Sequence, residues 1–141
     1  MNIGITINTS AVMAALKKAR PSPRTTERAL GRAASGHILD MLKRVDSGVG
    51  LNGRFKPYHP KYAEYRAKKG RGINSVNLQF TGRMLAGVKL MTKSPSKAVI
   101  GFTQEIERKK AISNQRKRPW FGVTDSEQAQ ITSRFKREIF R

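Results

Sequence analysis

The longest helical pattern in the chain lies between a proline-rich stretch and a glycine-rich one. Apolar side chains recur along one face from about Pro23 to Asp46, and basic side chains fall mainly on the other faces. Ser22 is placed to cap the first turn, because Pro is favoured at the first helical position. We predict one long helix here, about 36 Å in length at 1.5 Å per residue, as the main surface on which a sheet packs.

Alternating apolar and polar residues predict a small antiparallel sheet. Isoleucines alternate with Gly and Thr in Ile3–Ile7, which is the period of a half-buried strand. Val88–Thr92 and Ala98–Phe102 form a predicted hairpin, because Ser94–Lys97 between them has turn chemistry, with Pro at its second position.

Shorter helices are predicted at four further places by capping residues, charge placement and helix breakers. They are a helix capped by Thr9 or Ser10 and ended at Arg20–Pro23, a helix over Pro60–Lys69, a single turn over Gly82–Ala86 capped by Thr81, and a helix over Thr103–Ser113. We expect Gly82 to adopt a positive φ or to allow close backbone approach.

The chain closes with an apolar stretch that leads directly into a helix. Trp120, Phe121 and Val123 favour a short strand, and we expect the first two to lie in the core rather than at an interface. Thr124 and Glu127 have the spacing of a capping box, in which each side chain bonds to the backbone N–H of the other residue. The stretch therefore predicts a strand followed by a capped helix.

Together these elements predict an α+β fold, with a small antiparallel sheet packed against one long helix and two or three shorter helices. A chain of 141 residues is most simply one domain, 1–141, and is long enough to bury a real core. Within it, 51–77 is weakly apolar and is predicted as a basic, flexible loop region that contains the short helix at Pro60–Lys69.

The balance of charge is strongly positive. There are 29 Lys and Arg against 9 Asp and Glu, which gives a formal net charge of +20. Self-repulsion at this charge disfavours the compact state, and a polyanion or an acidic partner surface would relieve it. The chain has no cysteine, so the sequence excludes a disulfide framework and a thiolate metal site.

The residues that usually carry catalysis form no recognisable pattern. His37 lies among apolar helix residues and is expected to be partly buried, whereas His59 lies in a loop. The sequence has no paired acidic motif, metal-binding His spacing, nucleophile elbow or phosphate-binding loop. We therefore expect no enzymatic activity, no cofactor and no metal. Without a signal peptide or a membrane-spanning apolar run, we also expect a soluble protein made in the cytoplasm.

Four segments, in order along the chain, carry a resemblance to a known family. They are Lys56–Ala63, Leu78–Leu85 with its Thr-Gly-Arg-x-Leu core, the apolar-Gly-Phe strand Val99–Thr103, and Arg118–Asp125 with its Arg-Pro-aromatic-apolar-Gly pattern. They are similar to segments of the phage virion morphogenesis family, which contains the tail completion proteins of contractile-tailed, Mu-like phages. The chain departs from the family at Ser113–Arg116, where a His-Gln-x-Gly element is usual and the His and the Gly are missing.

The resemblance implies a structural virion protein of the phage neck or tail end, made in the host cytoplasm. Its implied role is to complete the tail and to mediate head–tail joining as part of a ring, with six copies matching a six-fold tail. The implied partners are other copies of the chain and neighbouring tail and head-connector proteins with acidic surfaces. DNA in the channel is a further candidate partner, and no membrane is involved.

The excess of basic charge is spread across three regions, so that the whole molecule is positive, and we predict the segments 54–72 and 108–118 as interfaces. The candidate interface residues are Arg54, Lys56, Tyr58, Lys61, Tyr62, Arg66, Lys68, Lys69, Arg71, Arg108, Lys109, Lys110, Arg116, Lys117 and Arg118. The alternative is a basic nucleic-acid-binding protein, in which these cations neutralise phosphates and the tyrosines stack on bases. No recognisable nucleic-acid-binding motif accompanies the basic residues.

Overall fold

The computed structural model describes residues 3–72, 76–78 and 82–140 of the chain. Its elements, in chain order, are β1 (Ile5–Asn8), a 3-10 turn (Ser10–Val12), α1 (Met13–Ala19), α2 (Pro23–Asp46), β2 (Val49–Gly50), β3 (Gly53–Arg54), α3 (Pro60–Lys68), α4 (Arg83–Ala86), β4 (Val88–Lys93), β5 (Lys97–Phe102), α5 (Glu105–Lys117) and α6 (Asp125–Ile139). The predicted cap Thr81 lies outside the described residues.

Strand β5 is the centre of a three-stranded antiparallel sheet with the order β1-β5-β4. Helix α2 packs against this sheet, and α6 packs along α2. Buried apolar side chains from all these elements, including Leu30, Ile100 and Phe135, form one continuous core. The predicted α+β class is confirmed, and five shorter helices accompany α2 in the part of the chain that the structure describes.

The long helix α2 has the bounds that the sequence predicts. Ser22 Oγ accepts a hydrogen bond from Thr25 N at 3.2 Å, and Pro23 occupies the first turn. Gly48 follows the last turn with a φ of 80°, a conformation that Gly adopts without steric penalty. Local signals at both ends therefore determine the extent of this helix.

The predicted hairpin is confirmed as β4 and β5, with one irregularity. Leu90 pairs with Ile100 and Thr92 pairs with Val99, so that Met91 is an extra residue in β4. Such a bulge interrupts the ladder locally and increases the twist of the strand. It leaves Met91 exposed on the edge strand of the sheet.

The predicted strand at Trp120–Val123 is wrong, because 118–124 is an irregular connection between α5 and α6 that joins neither sheet. Gln115 on α5 takes the place of a partner strand. Its Oε1 accepts hydrogen bonds from Trp120 N at 3.0 Å and Phe121 N at 2.9 Å, and its Nε2 donates to Phe121 O at 3.1 Å. One side-chain amide therefore forms the hydrogen bonds that these backbone groups would form with a neighbouring strand in a sheet.

Side chains of α2 satisfy further carbonyl groups of the same connection. Arg44 Nη2 donates to Trp120 O at 2.9 Å, and His37 Nε2 lies 3.0 Å from Gly122 O. With its backbone partnered in this way, the connection can carry large apolar side chains into the interior. Trp120 is fully buried and Phe121 is buried, which confirms that they belong to the core.

The two-stranded hairpin of β2 and β3, which the sequence analysis did not predict, lies against the same connection. Leu51 N donates to Pro119 O at 2.9 Å. A Cβ at Gly50 would lie 2.5 Å from that carbonyl oxygen, so the hairpin can approach this closely only because residue 50 is Gly.

Two predicted helix ends differ from the structure. Neither Thr9 nor Ser10 caps the first short helix with its side chain, because Asn8 Oδ1 accepts from Ser10 N at 3.0 Å. Helix α5 ends at Lys117, not at Ser113, because no residue between them breaks a helix and Pro119 comes only later. The extension places most of the basic segment 108–118 on a helix.

Gly82 has the positive φ that the sequence analysis predicted. It precedes α4 with a φ of 79°, in the left-handed region that other residues rarely adopt. A Cβ at this position would meet no atom within 4 Å, so the requirement for Gly is conformational and not a matter of space.

His37 is fully buried, where the sequence predicted partial burial. Burial lowers the pKa of His37, and Arg44 acts in the same direction; Glu127, the hydrogen bond to Gly122 and Asp40 oppose the shift. The folded protein therefore favours the neutral ring, with Nε2–H donating to the Gly122 carbonyl.

The capping box at the start of α6 is confirmed and gives a first prediction. Glu127 N donates to Thr124 Oγ1 at 3.2 Å, and Thr124 N donates to Glu127 Oε1 at 3.1 Å. We expect Thr124→Ala to lower the free energy of unfolding by about 1 kcal/mol in urea denaturation. Ser133→Ala, at an exposed position in the middle of the same helix, is the control. Equal effects of the two substitutions would contradict the assignment.

The buried His37 predicts a dependence of stability on pH. Because its pKa is lower in the folded than in the unfolded protein, the unfolded state takes up the proton first as the pH falls below about 6.5. The free energy of unfolding should therefore decrease from pH 7 downwards, by at most about 1.4 kcal/mol per pH unit. Urea denaturation at several pH values measures it. His59→Gln, at an exposed position, should leave the pH dependence of stability intact. A stability that does not change with pH in either the wild-type protein or this variant would refute the prediction.

Candidate functional site

The two predicted interface segments face each other across one groove. One wall carries Tyr58 and Tyr62, from α3 and the residues before it, and the other carries Lys110, Lys117 and Arg118, from α5 and its C-terminal end. The groove has a volume of about 710 Å³. We call it the α3–α5 groove. Neither segment forms it alone, so the site exists only in the folded chain.

Arg118 joins the two walls of the groove. Its Nε donates to Lys56 O at 3.2 Å and its Nη2 donates to Pro57 O at 3.1 Å. The guanidinium carbon also lies 5.2 Å from the ring centroid of Tyr58, within the range of a cation–π interaction. The segment before α3 is thus attached to the end of α5 by a planar, doubly donating side chain.

Arg66 supports the groove from inside and is not an exposed cation. Only 3% of its surface is accessible, although the sequence placed it among the interface candidates. Its Nε donates to Gly72 O at 2.9 Å, and its guanidinium carbon lies 4.7 Å from the Tyr58 centroid. Tyr58 therefore contacts two guanidinium groups, one from α3 and one from the end of α5.

The three tyrosines form a continuous aromatic wall. Tyr58 and Tyr62 meet edge to face, with ring centroids 5.1 Å apart, and Tyr62 and Tyr65 stack at 6.3 Å. Tyr62 and Tyr65 are both exposed. The hydroxyl of Tyr58 is buried and has no hydrogen-bond partner in the part of the chain that the structure describes. The wall thus holds one buried hydroxyl, at Tyr58, and is open to solvent at α3.

The electrostatic character of the groove is positive. Arg66, Lys110, Lys117 and Arg118 line it, and no Asp or Glu is among its described lining residues. Lys110 and Lys117 are exposed at the rim, and Lys110 also lies 3.6 Å from Glu107, which is buried outside the groove. The groove can therefore attract an anionic partner without repulsion from an acidic side chain within it.

The other candidate cations lie around the groove and not in it. Exposed side chains outside its described lining are Arg54, Lys56, Lys61, Lys68, Lys69, Arg71, Lys109 and Arg116; Arg108 is partly exposed there. Arg108 forms an ion pair with Glu105 at 2.6 Å within α5. Thus only some of the predicted cations share one site, because a helix distributes successive residues around its axis.

Several residues that line the groove were not among the predicted interface residues. Met84 and Leu78 supply apolar surface, and Asn114 donates to Met84 Sδ at 3.4 Å. His59 caps α3, because its Nδ1 accepts from Lys61 N at 3.2 Å. A His directly before Pro at a helix start was the available signal for this cap. Nothing local indicated that Met84 and Asn114 would meet.

Further observations limit the chemistry of the chain. No group of three or more His, Asp or Glu side chains in the described ranges is arranged to hold a metal ion. No described helix combines the length and the apolar character needed to cross a membrane. Comparisons with protein families, with curated protein sequences and with solved structures found no match. The function must therefore be argued from the residues of this chain.

The role of Arg118 in joining the walls gives a prediction. We expect Arg118→Met to increase hydrogen–deuterium exchange in α3 by about tenfold or more, because a hydrogen bond from a charged group is worth about 1.5–3 kcal/mol. Exchange in α2 should stay unchanged, because the core does not depend on this contact. Arg116→Met, at an exposed position on the same helix, is the control. Unchanged exchange in α3 for both variants would show that Arg118 does not hold the wall.

Proposed function

We propose that this chain is a structural protein of the phage neck or tail end, one of six copies in a ring that completes the tail and mediates head–tail joining. The order of the four segments that resemble the phage virion morphogenesis family supports this role. The proposal makes the protein a component of the virion, without enzymatic activity, cofactor or metal.

The observation that carries the proposal is the meeting of the two basic segments at the α3–α5 groove. Lys117 and Arg118 from one segment lie across from Tyr58 and Tyr62 of the other. Aromatic and Arg side chains are enriched at protein interfaces, and complementary charge directs the encounter of the partners. Such a surface suits docking to an acidic region of a neighbouring tail or head-connector protein.

The net charge supports an acidic partner in the assembly. Equal subunits at +20 repel one another when a closed ring brings them together. Screening limits this repulsion to a range of about 8 Å at physiological ionic strength, which still includes directly touching surfaces. An acidic protein surface, or DNA in the channel, would offset the repulsion. We favour the protein, because the resemblance implies a joint between two assemblies.

Nucleic-acid binding is the second candidate function, and the exposed tyrosines favour it. Tyr62 and Tyr65 are stacked and solvent-accessible, and Lys69 Nζ lies 5.9 Å from the Tyr65 ring. Exposed rings among cations can stack on bases. Titration with duplex DNA at several salt concentrations separates the two functions, because a DNA-binding protein loses affinity steeply as salt rises. A tail protein should instead assemble, or co-purify with tail or connector components.

A charge-reversed variant tests the proposed role in particles. Lys109 and Lys110 are exposed on α5, and Lys110 also pairs with the buried Glu107 at 3.6 Å. We expect replacement of both by Glu to lower the stability of the domain but to leave it folded, while impairing head–tail joining. The measurement is complementation of a phage that lacks the corresponding protein, with particles imaged to locate the chain.

The matched control reverses Lys17 and Lys18, which are exposed in the last turn of α1, away from both basic segments. It changes the net charge equally and should complement. Thermal unfolding checks that both variants fold. Complementation by the Lys109→Glu/Lys110→Glu variant at wild-type efficiency would exclude this segment as a docking surface, and absence of the chain from particles would refute the proposed function.

A further inference from the structure

We infer that the α3–α5 groove is a receptor for an acidic, extended peptide segment of a partner protein. The inference rests on the proposed docking function and specifies the chemistry of the partner. It depends on three features of the groove: the Arg118 guanidinium held in place by neutral groups, a rim of exposed lysines, and an apolar floor.

The guanidinium groups of the groove are held in place before any partner binds. Arg118 is fixed by two backbone carbonyls and by the Tyr58 ring, and Arg66 by the Gly72 carbonyl and the same ring. Ordering a long side chain on binding opposes association, and here that ordering is already complete for both. The groups that hold Arg118 are uncharged, so its positive charge is not neutralised by these contacts.

The geometry of the Arg118 contacts leaves a donor for a ligand. Nε and Nη2 are engaged by the carbonyls of Lys56 and Pro57, whereas Nη1 has no hydrogen-bond partner among the described residues. A carboxylate is the natural acceptor for a guanidinium N–H, and hydrogen bonds between charged groups are about twice as strong as those between neutral ones. Arginine groups arranged in this way are a recurring means of recognising acidic motifs.

The spacing of the two rim lysines matches the spacing of residues in an extended peptide. Lys110 and Lys117 lie seven residues apart on α5, and are therefore separated by about 10 Å along the helix axis. Three residues of an extended chain cover about the same distance. A segment with several acidic residues lying along α5 can thus meet both lysines and Arg118 together.

The groove suits a peptide better than a single-stranded nucleic acid. Base stacking requires a free ring face, and Tyr58 offers none, because it contacts two guanidinium groups and the edge of Tyr62. Only the exposed rings of Tyr62 and Tyr65 remain for stacking. Leu78 and Met84 provide apolar lining that can accept an aliphatic side chain. The volume of about 710 Å³ lies within the range of about 300–1,000 Å³ that is usual for ligand pockets.

Binding of defined probes to the full chain tests the inference. The first probe is a fluorescein-labelled ten-residue peptide of glutamates with two interspersed leucines. The second replaces every Glu by Gln, and the third is a ten-nucleotide oligothymidylate. We expect the acidic peptide to bind at near-physiological salt, and the Gln peptide to bind at least about tenfold more weakly, because its carboxylates are gone.

Two variants of equal net charge distinguish binding in the groove from general electrostatic attraction to the protein. Lys110→Glu/Lys117→Glu reverses the rim, and Lys17→Glu/Lys18→Glu reverses two exposed lysines on α1. We expect the rim variant to reduce affinity for the acidic peptide by about tenfold or more, and the α1 variant by about threefold or less. Lys117→Gln, which removes one exposed charge, should give an intermediate loss and replaces the double variant if that does not fold.

Three results would overturn the inference: equal loss in the rim and α1 variants, equal binding of the Glu and Gln peptides, or tighter, rim-dependent binding of the oligothymidylate. The last would assign the groove to nucleic acid. These outcomes are distinct from failure of the proposed function. Rim-dependent peptide binding by a chain that is absent from particles would keep the receptor and reject the phage role. A chain that is found in particles but lacks rim-dependent peptide binding would support the phage role and reject the receptor.

Discussion

The interaction of Arg44 with Glu127 and the Trp120 carbonyl joins three parts of the fold. The ion pair measures 3.1 Å, both side chains are about nine-tenths buried, and Arg44 donates to Trp120 O at 2.9 Å. Glu127 is at the same time the acidic member of the α6 capping box. Removing one partner of a buried ion pair commonly destabilises a protein by about 3–5 kcal/mol, since the other charge remains buried. This interaction thus fixes α2, α6 and the connection 118–124 relative to one another.

The candidate groove derives its geometry from the same connection. Gln115 bonds to Trp120 and Phe121 from the last turns of α5, so the end of that helix is attached to the core. Arg118 lies between Gln115 and Trp120 in the chain and extends away from the core to the Lys56 carbonyl. A single short segment therefore both closes the core and places the cation that joins the groove walls. Because of this coupling, substitutions in the core near Trp120 can alter the geometry of the groove without contacting it.

Local signals explain what the sequence predicted well, and remote contacts explain what it did not. The bounds of α2, the capping box at Thr124 and the positive φ of Gly82 follow from residues within a few positions of each other. The strand predicted at Trp120–Val123 is wrong because its carbonyl groups are bonded by His37 and Arg44, which are 85 and 76 residues away from their bonded partners. Likewise, both basic segments were recognised, but their meeting depends on contacts across 61 and 62 residues. Composition indicates which residues are charged, whereas only the fold shows which of them share a site.

The acids of the chain can neutralise only part of its positive charge. Among the residues that the structure describes, five of the nine Asp and Glu side chains form ion pairs with described basic side chains, at Asp40, Glu105, Glu107, Glu127 and Glu138. Even complete internal pairing of nine acids would leave twenty of the 29 Lys and Arg unneutralised. At the α3–α5 groove, the fold orders Arg118 by two carbonyl groups and an aromatic ring. Ordering a cation without neutralising it keeps its field available to a partner, and an ordered charge binds with less loss of entropy than a mobile one. This combination distinguishes the groove from the exposed lysines elsewhere, whose charge is solvated and free to move.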